Sequence, residues 1–348
     1  MPRELIASAP RTPELRAYDE LPLRPDEVRM RSIFSTVKHG TQLRAYRADT
    51  MDATQPFDAE LKLHRRRTQA AHGMTPRFPM PLGTVTVGEV IAVGGAVEAF
   101  AVGDRVYGDL SIRETHTVAA ARLHPVPAGM HPHAAVCADP ARVALSGVRD
   151  SGLGVGDRVL VTGLGAIGQL AAQLARLQGA AWVAGADPIP RRRALAERLG
   201  ADLAIDPPAE DTGVVVKTAT GTLGADAVIE TSGNYAGLND ALRAAAYGAT
   251  VVSVAYYPGA GSGLSLEGEW HRNRINLISS RDVSAPHRLA PRWDANRLYD
   301  AAFALLEQGR LRVDGLLDPV VPFDDSAAAY REIDENPAAS IKLGVTYS

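Results

Sequence analysis

The spacing of hydrophobic residues changes at about residue 133 of this 348-residue chain. Before that point, short β-branched runs alternate with polar residues and glycines. Asp26–Ser35 alternates as a half-buried strand does, and Leu82–Gly94, Phe100–Gly108 and Thr115–Val118 continue the pattern. Residues 1 to about 125 are therefore predicted to form a β-rich domain, with glycines at positions typical of a curved sheet.

After that point, the pattern becomes helical over His133–Val148 and then alternates between strands and helices. Such alternation is typical of a doubly wound parallel sheet. The predicted strands are Val159–Thr162, Ala181–Ala186, Asp202–Ile205, Ala227–Gly233 with its turn, Thr250–Ala255 and Ile275–Ser280. The predicted helices are Arg191–Leu199, Leu238–Ala245, Ala295–Gln308 and Ser326–Asp334, before a last strand at Ser340–Tyr347. The tail breaks the rhythm, and we expect it to return to the first domain.

One glycine-rich turn carries the clearest chemical signal. The strand Val159–Thr162 enters Gly163-Leu164-Gly165-Ala166-Ile167-Gly168, and an Ala/Leu-rich helical pattern leaves it. Gly163 permits a tight turn, Gly165 leaves room for a pyrophosphate, and Gly168 allows close packing of helix on strand. The start of the helix then offers free N–H groups and a positive dipole end to phosphates.

An acid follows the second strand of this unit. Asp187 comes directly after Ala181–Ala186, about 20 residues beyond the glycine turn, where a carboxylate holds the ribose hydroxyls of a dinucleotide. The turn and the acid together predict nucleotide binding, against the simpler interpretation of a glycine-rich turn with an incidental acid.

Composition narrows the class of protein. The length suggests two domains, and 46% hydrophobic residues are enough for a large core. A net charge of -3 gives no basic field for nucleic acid. The single cysteine, Cys137, excludes an intrachain disulfide and fits a reducing cytoplasm. We expect no signal peptide, no membrane span and a cytoplasmic protein.

The chain resembles the medium-chain dehydrogenase/reductase superfamily, the zinc-alcohol-dehydrogenase-like proteins. The resemblance rests on Val102–Val106, Val155–Val161, the glycine turn, Val228–Gly233 and Ser340–Lys342, in this order. It implies an α/β fold: a chaperonin-10-like, β-rich catalytic domain plus a Rossmann domain with a doubly wound parallel sheet. The implied boundaries are 1–137 and 282–348 for the catalytic domain and 138–281 for the Rossmann domain.

The resemblance also implies a nicotinamide cofactor and the residues around it. Gly163, Gly165, Ala166, Ile167 and Gly168 would line the pyrophosphate, and Asp187 and Arg192 the adenosine ribose. Ser232, Val254 and Ser280 would lie beside the nicotinamide half, and Lys342 near the pyrophosphate. A carboxylate at position 187 repels a 2′-phosphate, which favours NAD over NADP, although Arg191, Arg192 and Arg193 weaken this preference.

The zinc ligands of the family are mostly missing. Where relatives with catalytic zinc carry Cys-Gly-x-Asp and Gly-His-Glu, this chain has His39-Gly40-Thr41-Gln42 and Gly83-Thr84-Val85, and Cys137 alone remains as the third position. Thr84 is a poor ligand, and catalytic zinc needs three protein ligands. We therefore expect no zinc and no other metal.

Without zinc, other groups must polarise the carbonyl or take the alcohol proton. The candidates are Lys38 as a donor to a developing alkoxide, His39 for proton transfer, Thr41 as a relay and Asp139 as an orienting group. Three of them have an equally plain structural interpretation: Lys38 as a solvent-facing lysine, His39 as a turn-capping residue and Asp139 as an N-cap. Tyr256–Gly259 follows a strand where it would shape the substrate pocket.

The sequence thus predicts an NAD-linked, zinc-independent dehydrogenase of a secondary alcohol. The polar candidates favour a polyol, cyclitol or sugar-like small molecule. Two alternatives stay open: an NADPH-dependent quinone or enone reductase, and a non-catalytic NAD-binding protein. We expect a homodimer or homotetramer formed through an edge strand at Ile275–Ser279. Residues 49–79, with the basic run His64-Arg65-Arg66-Arg67, suggest either a surface lid over the site or a solvated charged helix followed by a loop. A separate hypothesis is that Arg65, Arg66 and Arg67 bind phosphate.

Overall fold

The computed structural model describes residues 1–49, 55, 57–65, 76–259, 261–284 and 287–348. Its strands are β1 Arg3–Ala9, β2 Thr12–Ala17, β3 Glu27–Thr36, β4 Phe57–Asp58, β5 Leu63–His64, β6 Met80–Pro81, β7 Val85–Val93, β8 Arg105–Gly108, β9 Thr115–Ala119, β10 His124–Pro125, β11 Arg158–Thr162, β12 Trp182–Ala186, β13 Leu203–Ile205, β14 Ala225–Glu230, β15 Ala245–Ser253, β16 Asn276–Ser279, β17 Val320–Pro322 and β18 Gly344–Thr346. Its helices are α1 His39–Tyr46, α2 Pro132–Ala135, α3 Ala138–Asp150, α4 Ala166–Gln178, α5 Pro190–Arg198, α6 Thr212–Ala219, α7 Tyr235–Ala244, α8 Glu269–Arg272, α9 Ala295–Glu307 and α10 Ser326–Glu335.

The chain divides into two compact units. Unit 1 comprises Met1–Val136 and Leu317–Ser348, and unit 2 comprises Cys137–Leu316. The second boundary differs from the predicted one after Arg281. The difference arises because residues 282–316 pack within unit 2: α9 lies on α3, and Arg142 on α3 forms an ion pair with Asp282 at 2.6 Å.

Unit 1 is β-rich, as predicted. Its larger sheet has the order β10-β8-β7-β3-β18-β17, with β9 also paired to β3, and its smaller sheet has the order β2-β1-β6. The tail returns to this unit, because β18 pairs antiparallel with β3 and parallel with β17. Tail residues also complete the core, where Phe323, Tyr330 and Val345 pack with Leu5 and Tyr46.

Unit 2 is the predicted doubly wound sheet. Six parallel strands have the order β13-β12-β11-β14-β15-β16, so the strand order reverses at β11 and β14. The central strand β11 is buried on both faces by apolar side chains, as expected for a parallel sheet covered by helices. A ligand is expected outside the carboxyl ends of the strands, at this switch point.

Candidate functional site

The glycine turn joins β11 to α4 and adopts the geometry that each glycine permits. Gly163 has a φ of +83°, and a Cβ there would lie 2.6 Å from the backbone nitrogen of Ser232. A Cβ at Gly168 would overlap the carbonyl oxygen of Gly163. Gly165 is the N-cap of α4, and a Cβ there would meet no described atom within 4 Å. Open space therefore lies in front of Gly165, while Gly163 and Gly168 are tightly enclosed.

Asp187 lies directly after β12 and is held against this turn. Its side chain is turned inward, and the residue is only 2% exposed. Oδ2 accepts the N–H of Leu164 at 2.8 Å and Oδ1 accepts the N–H of Ile189 at 2.8 Å. Arg192 Nη1 lies 3.6 Å from Oδ2. The acid thus connects the glycine turn to the start of α5.

A cavity of about 490 Å³ opens at the carboxyl ends of β11, β12, β13 and β14. Five of the predicted cofactor residues line it: Gly163, Gly165, Asp187, Arg192 and Ser232. The other lining residues are Thr162, Ala186, Pro188, Pro207, Pro208, Thr231, Asn234, Ala236, Gly237 and Asp240. Ala166, Ile167 and Gly168 form the first turn of α4, whose N–H groups have no partner inside the helix. These N–H groups and the open Gly165 fit the pyrophosphate of a dinucleotide.

A buried carboxylate fixes the loop that closes this cavity. Glu230, at the end of β14, is 0% exposed, and its Oε1 accepts hydrogen bonds from the N–H of Ser232 at 2.7 Å and from the Ser232 hydroxyl. Its Oε2 accepts the hydroxyl of Tyr257. Burial raises the pKa of Glu230, and the hydrogen bonds from Ser232 and Tyr257 oppose that shift. Glu230 therefore holds Ser232, and through it the loop beside Gly163.

Val254 and Ser280 lie beyond the cavity lining, at the ends of β15 and β16. Val254 N–H donates to the Glu230 carbonyl at 3.0 Å. Ser280 Oγ is 3.0 Å from Ser146 Oγ, which is 3.3 Å from His287 Nε2. The N–H of Leu289 donates to His287 Nδ1 at 3.3 Å, so a neutral ring donates from Nε2 to Ser146. Either hydroxyl can donate in the bond between Ser146 and Ser280.

The remaining cofactor candidate, Lys342, lies in unit 1 with most of the predicted catalytic residues. Lys342 is 4% exposed, and its Nζ donates to the carbonyl of Val37 at 2.8 Å. The next N–H, of Leu343, donates to His39 Nε2 at 3.0 Å. The tail of the chain thus fixes the entry to α1. With Nε2 accepting, a neutral His39 carries its proton on Nδ1.

Lys38 and Thr41 flank His39. Lys38 is half-buried at the N-cap of α1, and Thr41 is exposed in the first turn.

Gln42, the next residue of α1, has a structural role. Its amide bonds both the N–H and the C=O of Gly83 at 2.8 Å, and Tyr330 donates to its Oε1 at 3.1 Å.

Asp139 lies in unit 2, in the first turn of α3. Its carboxylate pairs with Arg142 Nη2 at 3.0 Å, and Arg142 also pairs with Asp282. Cys137, at the N-cap of the same helix, is fully buried.

The basic run of residues 64–67 is described only in part. Arg65 bonds to Asp58, while Arg66 and Arg67 lie outside the described residues.

Two side chains at the zinc-ligand positions of the family make other contacts. His39 Nε2 already accepts a backbone N–H, and Thr84 Oγ1 donates to the carbonyl of Thr36 at 3.3 Å. Across the ranges that the structure describes, no three His, Cys, Asp or Glu side chains form a group that could hold a metal ion. Nor is any described helix long and apolar enough to cross a membrane.

Sequence reasoning did not find the contacts of Glu230, Ser146 and His287. A charged residue at the end of an otherwise apolar strand was the one available signal for Glu230. The partners of the other residues are distant in sequence, so that spacing gives no indication of them.

Comparison with known proteins gives consistent matches. Residues 166–291 match the family described as zinc-binding dehydrogenase, and residues 55–128 match the alcohol dehydrogenase GroES-like domain. The chain is 40% identical over 349 residues to a D-guloside 3-dehydrogenase of Escherichia coli, covering 99% of this chain and 100% of that relative. It is 28% identical over 290 residues to a 2-dehydro-3-deoxy-L-galactonate 5-dehydrogenase of Pseudoalteromonas atlantica, covering 75% of this chain and 81% of that one.

A solved structure from Sinorhizobium meliloti 1021, bound to NADP, superimposes with a TM-score of 0.77. The two chains are 21% identical, and the match covers 99% of each. This likeness shows the shared fold.

The two kinds of glycine should respond differently to a methyl group. Gly165→Ala should change the unfolding free energy by about 1 kcal/mol or less, because its Cβ enters open space. It should weaken NAD binding by at least about tenfold, because that space is where a pyrophosphate would lie. Gly168→Ala should cost about 1–3 kcal/mol of stability, because its Cβ overlaps Gly163. Urea unfolding measures the stability of each variant, and calorimetric titration measures its affinity for NAD. Wild-type affinity for NAD in Gly165→Ala would contradict the assignment of Gly165 to the pyrophosphate.

The buried Glu230 predicts a specific pH dependence of stability. Its pKa is raised above 4.5 by burial, so its contribution to stability is present at low pH and is lost as pH rises through the folded-state pKa. Wild type should therefore lose stability relative to Glu230→Gln as pH rises, by about 1.4 kcal/mol per unit of pKa shift. Urea unfolding from pH 4 to 8 measures the difference, with the exposed Glu307→Gln as the matched control. If the unfolding free energies of wild type and Glu230→Gln changed in parallel with pH, the predicted pH dependence would be wrong.

Proposed function

The chain belongs to the medium-chain dehydrogenase/reductase superfamily as an alcohol dehydrogenase/reductase, and from this we propose that it is an NAD(H)-dependent dehydrogenase of a secondary alcohol on a sugar-like substrate that works without catalytic zinc. The observation that carries the proposal is the cavity of unit 2. It joins the open Gly165 and the first turn of α4 to a carboxylate at the end of β12, the arrangement that a dinucleotide requires.

The pairing of the nearby arginines supports NAD rather than NADP. Arg193 donates to the Asp187 carbonyl at 2.8 Å and to Asp206 at 2.8 Å, and Arg192 lies beside the Asp187 carboxylate. Two of the three arginines that weakened the preference are therefore already engaged with acidic residues. A 2′-phosphate would have to displace these contacts and approach Asp187, whereas ribose hydroxyls could donate to its carboxylate.

The names of the relatives support the proposed substrate class. One is named as acting on a D-guloside at position 3, and another on position 5 of a sugar acid. Both reactions concern a secondary alcohol in a polyhydroxy compound. The expected substrate of this chain is therefore a glycoside or related polyol, oxidised to the ketone.

We assign the substrate oxygen to residues at the entry to α1. When bound, the nicotinamide ring supplies the acceptor and donor of hydride. Lys38 would donate a hydrogen bond to the substrate oxygen and stabilise the alkoxide as negative charge develops. The hydroxyl proton released on oxidation would leave to solvent through the relay candidate Thr41, which is exposed, with His39 assisting the transfer; a proton would return by the same route when a ketone is reduced. Thr41 and Asp139 remain candidates for relaying a proton and orienting the substrate.

The edge strand β16 supports a homodimer or a homotetramer. It is the last strand of its sheet, and Asn276 and Ser279 on it are exposed. An unpaired edge can continue the sheet into a second copy. Association and a cytoplasmic location remain part of this proposal.

The function is tested by NADH absorbance with protein freed of metal by chelation. We expect NADH to form with NAD and a panel of D-gulosides, other hexopyranosides, cyclitols and polyols, with slower turnover with NADP. Elemental analysis of the purified protein should find less than one zinc per chain. Turnover that appears only after zinc is added would overturn the zinc-independent assignment. Turnover restricted to quinones or enones with NADPH would overturn the dehydrogenase assignment.

The role of Lys38 is tested with the same assay. Lys38→Met should lower kcat by about 10²–10³, because a donor to the developing alkoxide is lost. The Kd for NAD should not change, because the cavity is built from residues of unit 2 alone. Lys62→Met, at an exposed position of unit 1, is the matched control. Equal kcat values for the two variants would remove Lys38 from the mechanism.

A further inference from the structure

One part of the cavity of unit 2 has a chemistry that the turn and the ribose acid do not explain. It is lined by Pro207 and Pro208, which follow β13, and by Ala236, Gly237 and Asp240 on α7. The proline side chains present apolar surface and their nitrogens carry no N–H, and Ala236 adds a small apolar side chain. These walls suit a flat, apolar ring with one polar group facing it.

The position of Asp240 is fixed by an ion pair one turn further along α7. Arg243 Nη2 bonds to Asp211 Oδ2 at 2.7 Å, and Asp211 caps α6 by accepting the N–H of Val214 at 3.1 Å. This ion pair ties α7 to the segment that follows Pro207 and Pro208. Residues three apart on a helix share a face, so Asp240 is turned toward the same segment as Arg243.

The Asp240 carboxylate is a hydrogen-bond acceptor at the wall of the cavity whose role the contacts above do not explain. Within the described ranges, no hydrogen bond or ion pair engages it, whereas Arg243 is held by Asp211 and lies 3.7 Å from Glu269. The residue is half-buried, and burial raises its pKa, with Arg243 opposing the shift and Asp211 adding to it. A partly buried carboxylate at the wall of a cavity calls for a donor from a ligand.

Adenine supplies that donor. Its 6-amino group donates, whereas purines with a 6-oxo group present an acceptor at the same place. Resting on the proposed function, we propose that Asp240 accepts a hydrogen bond from the 6-amino group of the cofactor's adenine, and so selects adenine dinucleotides over 6-oxopurine dinucleotides. Asp240 is thus a specificity-determining residue at the end of the cofactor remote from hydride transfer.

The test compares NAD with nicotinamide hypoxanthine dinucleotide by isothermal titration calorimetry, which needs no substrate. Wild type should bind NAD at least about tenfold more tightly, the usual effect of a hydrogen bond to a charged group. Asp240→Asn should bring the two Kd values within about twofold, because the carboxamide can accept from an amino group or donate to an oxo group. Asp240→Ala should also abolish the preference, by weakening NAD binding.

The control is Asp300→Asn, the same change at an exposed position on α9, which should keep the wild-type ratio. Thermal unfolding of each variant checks the fold, and the wild-type ratio alone tests the proposal if a variant fails to fold. Equal Kd values in wild type, or a ratio that survives in both folded Asp240 variants, would overturn the role of Asp240 and leave the proposed function standing. Failure of wild type to bind either dinucleotide would overturn the proposed function itself.

Discussion

The close approach of α4 to β11 is the constraint on which the site of unit 2 depends. Gly168 reaches the carbonyl of Gly163, and Gly163 passes Ser232, only because neither glycine carries a side chain. With the helix in this position, Asp187 reaches the N–H of Leu164, and the Thr231 hydroxyl donates to the Gly163 carbonyl at 2.6 Å. The cavity at the switch point is thus bounded on one side by the glycine turn, with Asp187 and Ser232 held beside it.

Much of unit 2 could be predicted from sequence, because its signals are local. The strands and most helices follow from hydrophobic spacing, and the turn follows from three glycines. Helix α6 does not follow from that pattern, since its Val214–Val216 run is β-branched, and it begins at Asp211, whose side chain supplies the cap. The extent of unit 2 also escaped prediction, because α9 is assigned by its packing on α3 and not by its own sequence.

The candidate site could be predicted only at positions where the residue type and its place in the chain allow a single structural role. A glycine before a helix and an acid after a strand meet that condition, and both line the cavity. Gln42 does not: the same amide that could bind substrate instead bonds the N–H and the C=O of Gly83, 41 residues away. Glu230 likewise needs Tyr257, which lies on the next strand connection. Such pairings depend on the tertiary structure, and spacing along the chain does not encode them.

The tail that bonds to Val37 and His39 has a consequence for biosynthesis. Unit 1 needs Phe323, Tyr330 and Val345 to complete its core, and the His39 ring is bonded only once Leu343 is in place. A ribosome makes residues 137–316 before any of these residues. The sequence of unit 2 is therefore complete while unit 1 still lacks residues 317–348. The edge of β3 that pairs with β18 is therefore covered only after the whole sequence of unit 2 has been made.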